Sequence, residues 1–140
     1  MLTIPRAHLA ALLEHCRAAL PDEACGYLAG RAASVESVHP VRNAAAAPTR
    51  FAMEPRGQLA ALEAIDRAGR EVVGIYHSHP GGAPSPSAAD LEQACWPGTA
   101  LPCWPGAVQV IAALPGDSGP VVKSYALEAG AFREVALQIV

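Results

Sequence analysis

Residues 71–77, EVVGIYH, form a nearly continuous apolar run with β-branched residues. Such a run is what a central strand covered on both faces requires. It demands neighbouring strands on either side and helices against the sheet, and the rest of the chain must supply both. The run ends in a histidine, and a second follows one residue later, in GIYHSHPGGAPSPSAAD (74–90). Alternation along a strand turns His77 and His79 toward one face and Ser78 toward the other.

With 140 residues, the chain fits one domain; a domain of this size buries about 70% of the surface its unfolded form exposes. Half of the residues are apolar, yet no run approaches the roughly 18 consecutive apolar residues of a membrane span. The opening stretch MLTIPRAHLAALLEHCRAAL is interrupted by Arg6, His8, Glu14 and His15. It reads as a folded helix rather than a signal peptide, which sets the cytoplasm as the expected location. The formal charge is -3, and nine of the ten basic residues are arginines scattered without a stripe. That pattern argues against nucleic acid as a main partner. Cys16 and Cys25 read as small core residues. Cys95 and Cys103 lie in the near-repeat CWPGTALPCWPG, where a cytosolic setting disfavours a lasting disulfide.

Residues 2–4 read as a short edge strand. A helix then opens at Pro5, with Leu9, Leu12, Leu13, Cys16 and Leu20 on one face, and Pro21 stops it. CGYLAG (25–30) and the stretch from Val35 to Val41 are expected strands, AAAAPTR (44–50) a loop, and TRFAME (49–54) a third strand. A second helix runs from Pro55 to about Ala68, with Leu59, Leu62 and Ile65 inward and Gly69 as its stop. Glu63 with Arg67, and Asp66 with Arg70, mark its solvent face. Ala88 to Cys95 is a short helix. AVQVIAAL, VVKSYAL and FREVALQIV close the chain as three strands separated by PGDSGP and EAGA turns. The expected fold class is mixed α+β: one domain, residues 1–140, with a curved mixed sheet packed against helices.

Two imidazoles on one face at a strand's end form a natural bidentate clamp. Zinc accepts histidine nitrogen and carboxylate oxygen, and a catalytic site keeps three protein ligands with one position open. Asp90 supplies the third ligand if the loop from Pro80 to Pro86 folds the next helix back over the strand end. Ser87-Ala-Ala-Asp90 is equally a capping-box pattern, and Asp90 cannot easily serve fully in both roles. Taken alone, the histidine pair reads as surface and the tetrapeptide as a cap; together they are no longer generic. His8, His15 and His39 lack the spacing or neighbours of ligands and read as surface. Asn43 and Thr49 are candidates for ordering a loop near the substrate path. Trp96 and Trp104 suit either a groove cover or turn anchors.

The arrangement His77-Ser78-His79-Pro80, six residues, Ser87, two residues, Asp90, together with Glu23 in PDEACGYLAG (21–30), resembles the JAMM (MPN+) metalloprotease motif at every fixed position. HPVRNAAAAPTRFAMEP looks like that family's middle segment, and the chain resembles the small bacterial members of the CysO-cysteine peptidase type in size and in the PDEACG opening. The resemblance implies an MPN/JAB (cytidine-deaminase-like) architecture with His77, His79 and Asp90 holding one zinc ion per chain. It implies Glu23 as the base acting on the zinc-bound water and then as the acid for the leaving amine. Ser87 becomes a hydrogen-bond donor to the oxyanion. The implied reaction is hydrolysis after the C-terminal glycine of a ubiquitin-like sulfur-carrier protein ending in Gly-Gly, releasing an amino acid or a short extension. No nucleic acid and no membrane partner is implied. Two alternatives stand beside it: a non-catalytic MPN docking module, and a RadC-like JAMM domain. A zinc nucleoside deaminase lacks its H-x-E and P-C-x-x-C elements here.

Overall fold

The computed structural model describes residues 1–115 and 118–140. Gly116 and Asp117, part of the expected PGDSGP turn, lie outside the described residues. Strand β1 (Leu2–Ile4) leads into helix α1 (Arg6–Ala19), and β2 (Cys25–Arg31) and β3 (Ser34–Val41) follow. Helix α2 (Pro55–Arg67) precedes β4 (Glu71–His79), and α3 (Ala88–Ala94) follows it. The chain closes with β5 (Val108–Ala113), β6 (Val121–Glu128), β7 (Ala131–Val135) and β8 (Leu137–Ile139). Among the described residues, no helix is long and apolar enough to cross a membrane.

The strands form one sheet in the order β7-β6-β5-β4-β2-β3-β1-β8. The apolar run 71–77 is therefore central, antiparallel to β2 and parallel to β5. Its alternation divides the core. Tyr76 packs with Leu12, Cys16, Ala24 and Leu28 on the α1 side, while Ile75 packs with Tyr27, Ala61 and Ile65 on the α2 side. By the same period His77 and His79 share the face of Ile75, and Ser78 shares that of Tyr76.

Several sequence expectations are corrected. First, β1 is not an edge strand: β3 and β8 pair with it in parallel, and Leu2 and Ile4 are fully buried. Second, FREVALQIV is not one strand but two, β7 and β8, with only Ala136 between them. The chain passes there from one edge of the sheet to the other, so the sheet curls nearly to closure. Third, TRFAME forms no strand; one isolated bridge, Asn43 to Met53, remains of it. The Asn43 side chain takes over the backbone of this segment, accepting from the Ala45 and Ala52 amides and donating to the Arg50 carbonyl. Fourth, Leu59 is 59% exposed, because α2 turns Ala61 and Ile65 to the sheet instead. Leu20 is likewise exposed past the end of α1. Arg70 pairs with Glu36 of β3 at 3.2 Å rather than with Asp66.

Gly26 faces Tyr76 across the β2–β4 ladder, and the Tyr76 ring lies over it. A Cβ at Gly26 would stand 2.5 Å from both the His39 carbonyl oxygen and the Tyr76 ring. Backbone blocks one side and a fully buried ring the other, so neither yields cheaply. Gly26→Ala should cost about 1–3 kcal/mol of stability, the usual range for overpacking, read as a lowered midpoint in urea unfolding.

Candidate metal centre

His77 lies near the end of β4, opposite Cys25 of β2 and beside Ile111 of β5. The residue is 1% exposed, and its ring stacks on Phe51, with centroids 4.9 Å apart and planes 26° from parallel. Two residues on, His79 ends the strand. Beyond it the chain reverses through Pro80–Pro86 and enters α3, whose first turn carries Asp90. Two hydrogen bonds hold this reversal: His79 Nδ1 donates to the Ala83 carbonyl at 2.8 Å, and the Tyr125 hydroxyl donates to the Pro84 carbonyl at 2.6 Å.

Three donor atoms converge. His77 Nε2 lies 3.1 Å from His79 Nε2 and 3.3 Å from Asp90 Oδ1, and His79 Nε2 lies 3.2 Å from Asp90 Oδ2. Ligands bonded to zinc at about 2.0–2.1 Å in a tetrahedron stand about 3.3 Å from one another, so the spacing fits such an ion. The donor chemistry agrees. A carbonyl can only accept, so His79 Nδ1 carries the proton and a neutral ring presents a lone pair at Nε2. That lone pair faces a carboxylate oxygen, an arrangement that needs a positive charge nearby. A proton on Nε2 meets that need by donating to Asp90, so the carboxylate raises the affinity of His79 for protons. Burial acts against ionisation of Asp90, but the hydrogen bonds from both histidines outweigh it and hold its carboxyl below the usual range. A divalent cation satisfies the same demand.

Asp90 also completes the helix cap. The Ser87 amide donates to Asp90 Oδ2 at 2.8 Å, and the Asp90 amide donates to Ser87 Oγ at 3.1 Å. The cap does not turn the Asp90 carboxylate away from the histidines. One oxygen receives the cap and faces His79, the other faces His77, and the cap fixes the rotamer that points at the histidines. Ser87 Oγ accepts within the cap, which leaves its hydroxyl proton free to donate elsewhere.

Glu23 comes from the turn before β2. It is 2% exposed, and its Oε1 has no partner. Burial raises its pKa to about 7; the nearby His79 works against the rise and Asp90 adds to it. The backbone of Glu23 is tied on both sides, its amide to the Ala47 carbonyl and its carbonyl to the Asn43 amide group. Glu23, His79 and Ser87 line one cavity of about 360 Å³ with Pro48, Thr49 and Pro80–Gly82. His77 and Asp90 line another of about 270 Å³, walled by Tyr27, Phe51, Met53 and Trp104. The convergence point thus sits between two cavities.

Sequence reasoning marks Glu23, His77, His79, Ser87 and Asp90, and the structure brings these five into one region. It does not find Phe51, whose ring covers His77 and whose carbonyl is bonded by Gln93 of α3 at 2.6 Å. Phe51 sits in the segment misread as a strand, and nothing local signals its role. His15 is not plain surface; it bonds the buried Tyr76 hydroxyl at 2.7 Å. His39 bonds Ser37 Oγ and stays away from the site. Of the two tryptophans, Trp104 packs edge-on against Tyr27 while Trp96 is 58% exposed. All four cysteines are free thiols.

A profile of prokaryotic homologues of the JAB domain matches residues 5–128, and the chain belongs to this family. It is an enzyme of the JAB-domain peptidase class. A desampylase of Haloferax volcanii is 44% identical over 109 residues, 69% of this chain and 78% of that protein. A probable TtuB-protein conjugate cleaving protease of Thermus thermophilus is 38% identical over 69% of this chain and 65% of its own. The CysO-cysteine peptidase of Mycobacterium tuberculosis is 38% identical over 62% and 61%. A protein from Desulfitobacterium hafniense solved in solution superposes with a TM-score of 0.84 at 33% identity, covering 100% of this chain and 93% of that one. A JAB1/MPN domain protein from Archaeoglobus fulgidus shares the fold, with a TM-score of 0.60 at 23% identity over 100% and 97% of the two chains.

The raised pKa of Glu23 makes a statement about stability. Below its ordinary value of 4.5 the group is protonated in both folded and unfolded chains and costs nothing. Between 4.5 and about 7 the unfolded chain releases its proton first, so stability falls as pH rises through that window. Metal-free Glu23→Gln should therefore be more stable than the parent at about pH 8 and match it near about pH 4, read as urea midpoints at the two values.

Proposed function

We propose that residues 1–140 form one JAMM metalloprotease domain, a zinc-dependent peptidase or isopeptidase. It hydrolyses the amide after the C-terminal glycine of a ubiquitin-like sulfur-carrier protein and releases an amino acid or a short extension. One observation carries the reading: two imidazoles and a carboxylate converge between two cavities, with a buried, unpartnered glutamate lining one of them. The names of the relatives, a TtuB-protein conjugate cleaving protease and a CysO-cysteine peptidase among them, support a small protein carrier as substrate. A cytoplasmic location accords with four cysteines kept as thiols. The complete set of donors favours an enzyme over a docking module.

His77 Nε2, His79 Nε2 and one oxygen of Asp90 would hold the ion. Bound there, zinc supplies Lewis acidity toward the carbonyl and a water of pKa about 7. Everything else is done by side chains of this chain. Glu23 receives a proton at its free Oε1 and passes it to the departing nitrogen, acting as base and then as acid. A carboxylate poised near neutrality suits both halves of that task. Ser87, its oxygen already fixed by the cap, turns its hydroxyl proton to the oxyanion. Water's OH goes to the carrier's glycine carbonyl carbon, and its hydrogen goes to the amine. The cavity under Tyr27 and Trp104 takes the extended carrier tail. The one lined by Glu23 and Ser87 takes the leaving amine, since the proton donor stands there.

The decisive experiment is intact-mass spectrometry on a carrier ending in Gly-Gly extended by one cysteine, incubated with zinc-loaded protein. Loss of one cysteine mass is expected. No loss, with one zinc per chain and every tail tried, would overturn the peptidase reading. Glu23→Gln should retain zinc and lose turnover. Ser87→Ala should lower the rate by about a hundredfold or more, the usual loss for one oxyanion donor. Asp90→Ala should lose both metal and activity, scored by metal analysis of the purified variant. If it keeps full zinc and only loses helix stability, Asp90 is a cap and nothing more.

A further inference from the structure

Ser78 stands between the two histidines and points away from them, so nothing in the reaction as described above uses it. It is fully buried on the α1 side of the sheet. Its backbone amide donates to the Ala24 carbonyl at 3.0 Å, and its Oγ accepts from the Ala24 amide at 2.8 Å. One residue of β4 therefore holds both backbone groups of a residue 54 positions earlier in the chain.

This pair continues the β2–β4 ladder one step past Cys25–His77, but not as a regular rung. In an ordinary hydrogen-bonded antiparallel pair, the two residues exchange both amide-to-carbonyl bonds. Here the second bond ends on a side chain, because the Ala24 amide goes to Ser78 Oγ. The strand thus leaves the ladder at Ala24 with its last contact set by a hydroxyl. Ala24 packs on the α1 side, so alternation directs Glu23 to the opposite face, which is the face of His77 and His79. Seen from the site, Ser78 reaches through the sheet and grips the residue next to the base. The same residue is covalently joined to both imidazole-bearing positions.

We propose that Ser78 is a positioning residue for Glu23, setting the distance between the carboxylate and the metal site by anchoring Ala24 to the histidine strand. The inference rests on the assignment of Glu23 as the base. A misplacement of about 1 Å in a reacting group can cost about a hundredfold in rate. Ser78 is no ligand, so the cost falls on proton transfer and not on metal retention or substrate affinity.

The test uses the full chain. Ser78→Ala should keep one zinc per chain, leave KM within about threefold, and lower kcat by about 10- to 100-fold. Ser78→Thr retains the acceptor and Ser78→Val does not, while the two match in shape. Turnover close to the parent in Thr and reduced turnover in Val is expected, which separates the hydroxyl from packing. In metal-free protein, hydrogen exchange at the Ala24 amide should speed up in Ser78→Ala while amides in the middle of β4 keep their protection. Adding Ser78→Ala to Glu23→Gln should lower the residual rate no further, because both changes act through one group.

Unchanged kcat in Ser78→Ala and Ser78→Val would overturn the proposal. So would loss of zinc, or a full further loss in the Glu23→Gln background, since either would mean that Ser78 acts through the histidines. Full turnover in Glu23→Gln alone would overturn the base assignment and this inference with it. Exchange at Ala24 distinguishes that case, because it reports the anchor without any turnover.

Discussion

The antiparallel ladder between β2 and β4 is the interaction on which the rest of the site depends. It brings a turn near residue 23 beside a strand end near residue 78. A strand displays alternate side chains on alternate faces, and a slip of one residue exchanges the faces. With Cys25 opposite His77, the histidines and Glu23 come out on one side while Ser78 and Ala24 meet on the other. Gly26 protects that register, since only a residue without a side chain lets the Tyr76 ring lie across β2. The core on the α1 side and the chemistry on the α2 side are thus two faces of a single pairing.

The third donor arrives by a different route. Asp90 is brought back over the strand end by a loop whose carbonyls are fixed by His79 and Tyr125. A capping box then chooses its rotamer. Capping and convergence reinforce one another, because a carboxylate has four lone-pair positions and the cap uses one. The same economy appears at Ser87, which accepts from the helix and retains a proton to donate. Local helix chemistry of this kind is why a short helix of seven residues with no buried side chain can hold a functional group steadily.

Around this centre the 43–54 segment shows how much of a site escapes local patterns. Residues 44–50 read correctly as a loop but 49–54 as a strand, whereas Asn43 captures the Ala45 and Ala52 amides and the Arg50 carbonyl and holds the whole segment as a loop. That loop sets Phe51 against His77 and is fastened from the other side by Gln93. The edges of the sheet are similarly illegible from short windows. Residues 2–4 look like an edge by length and position, and the final run looks like one strand. Both readings fail because β8 crosses to pair with β1, an event of long sequence separation that no period reveals.

What the sequence determined by itself was the set of groups and their local setting. The apolar run 71–77 marks the central strand, alternation puts His77 and His79 on one face, and Ser87-x-x-Asp90 opens a helix. The match to the JAMM pattern adds Glu23. All but Glu23 rest on interactions within a few residues, where periodicity and capping act. Tertiary structure alone decided that the donors meet at 3.1–3.3 Å, that the capped Asp90 carboxylate still faces both histidines, that Phe51 stacks on His77, and that Ser78 holds Ala24. Those outcomes depend on which distant backbone groups find partners once the sheet has closed, and strand pairing, not local preference, makes that choice.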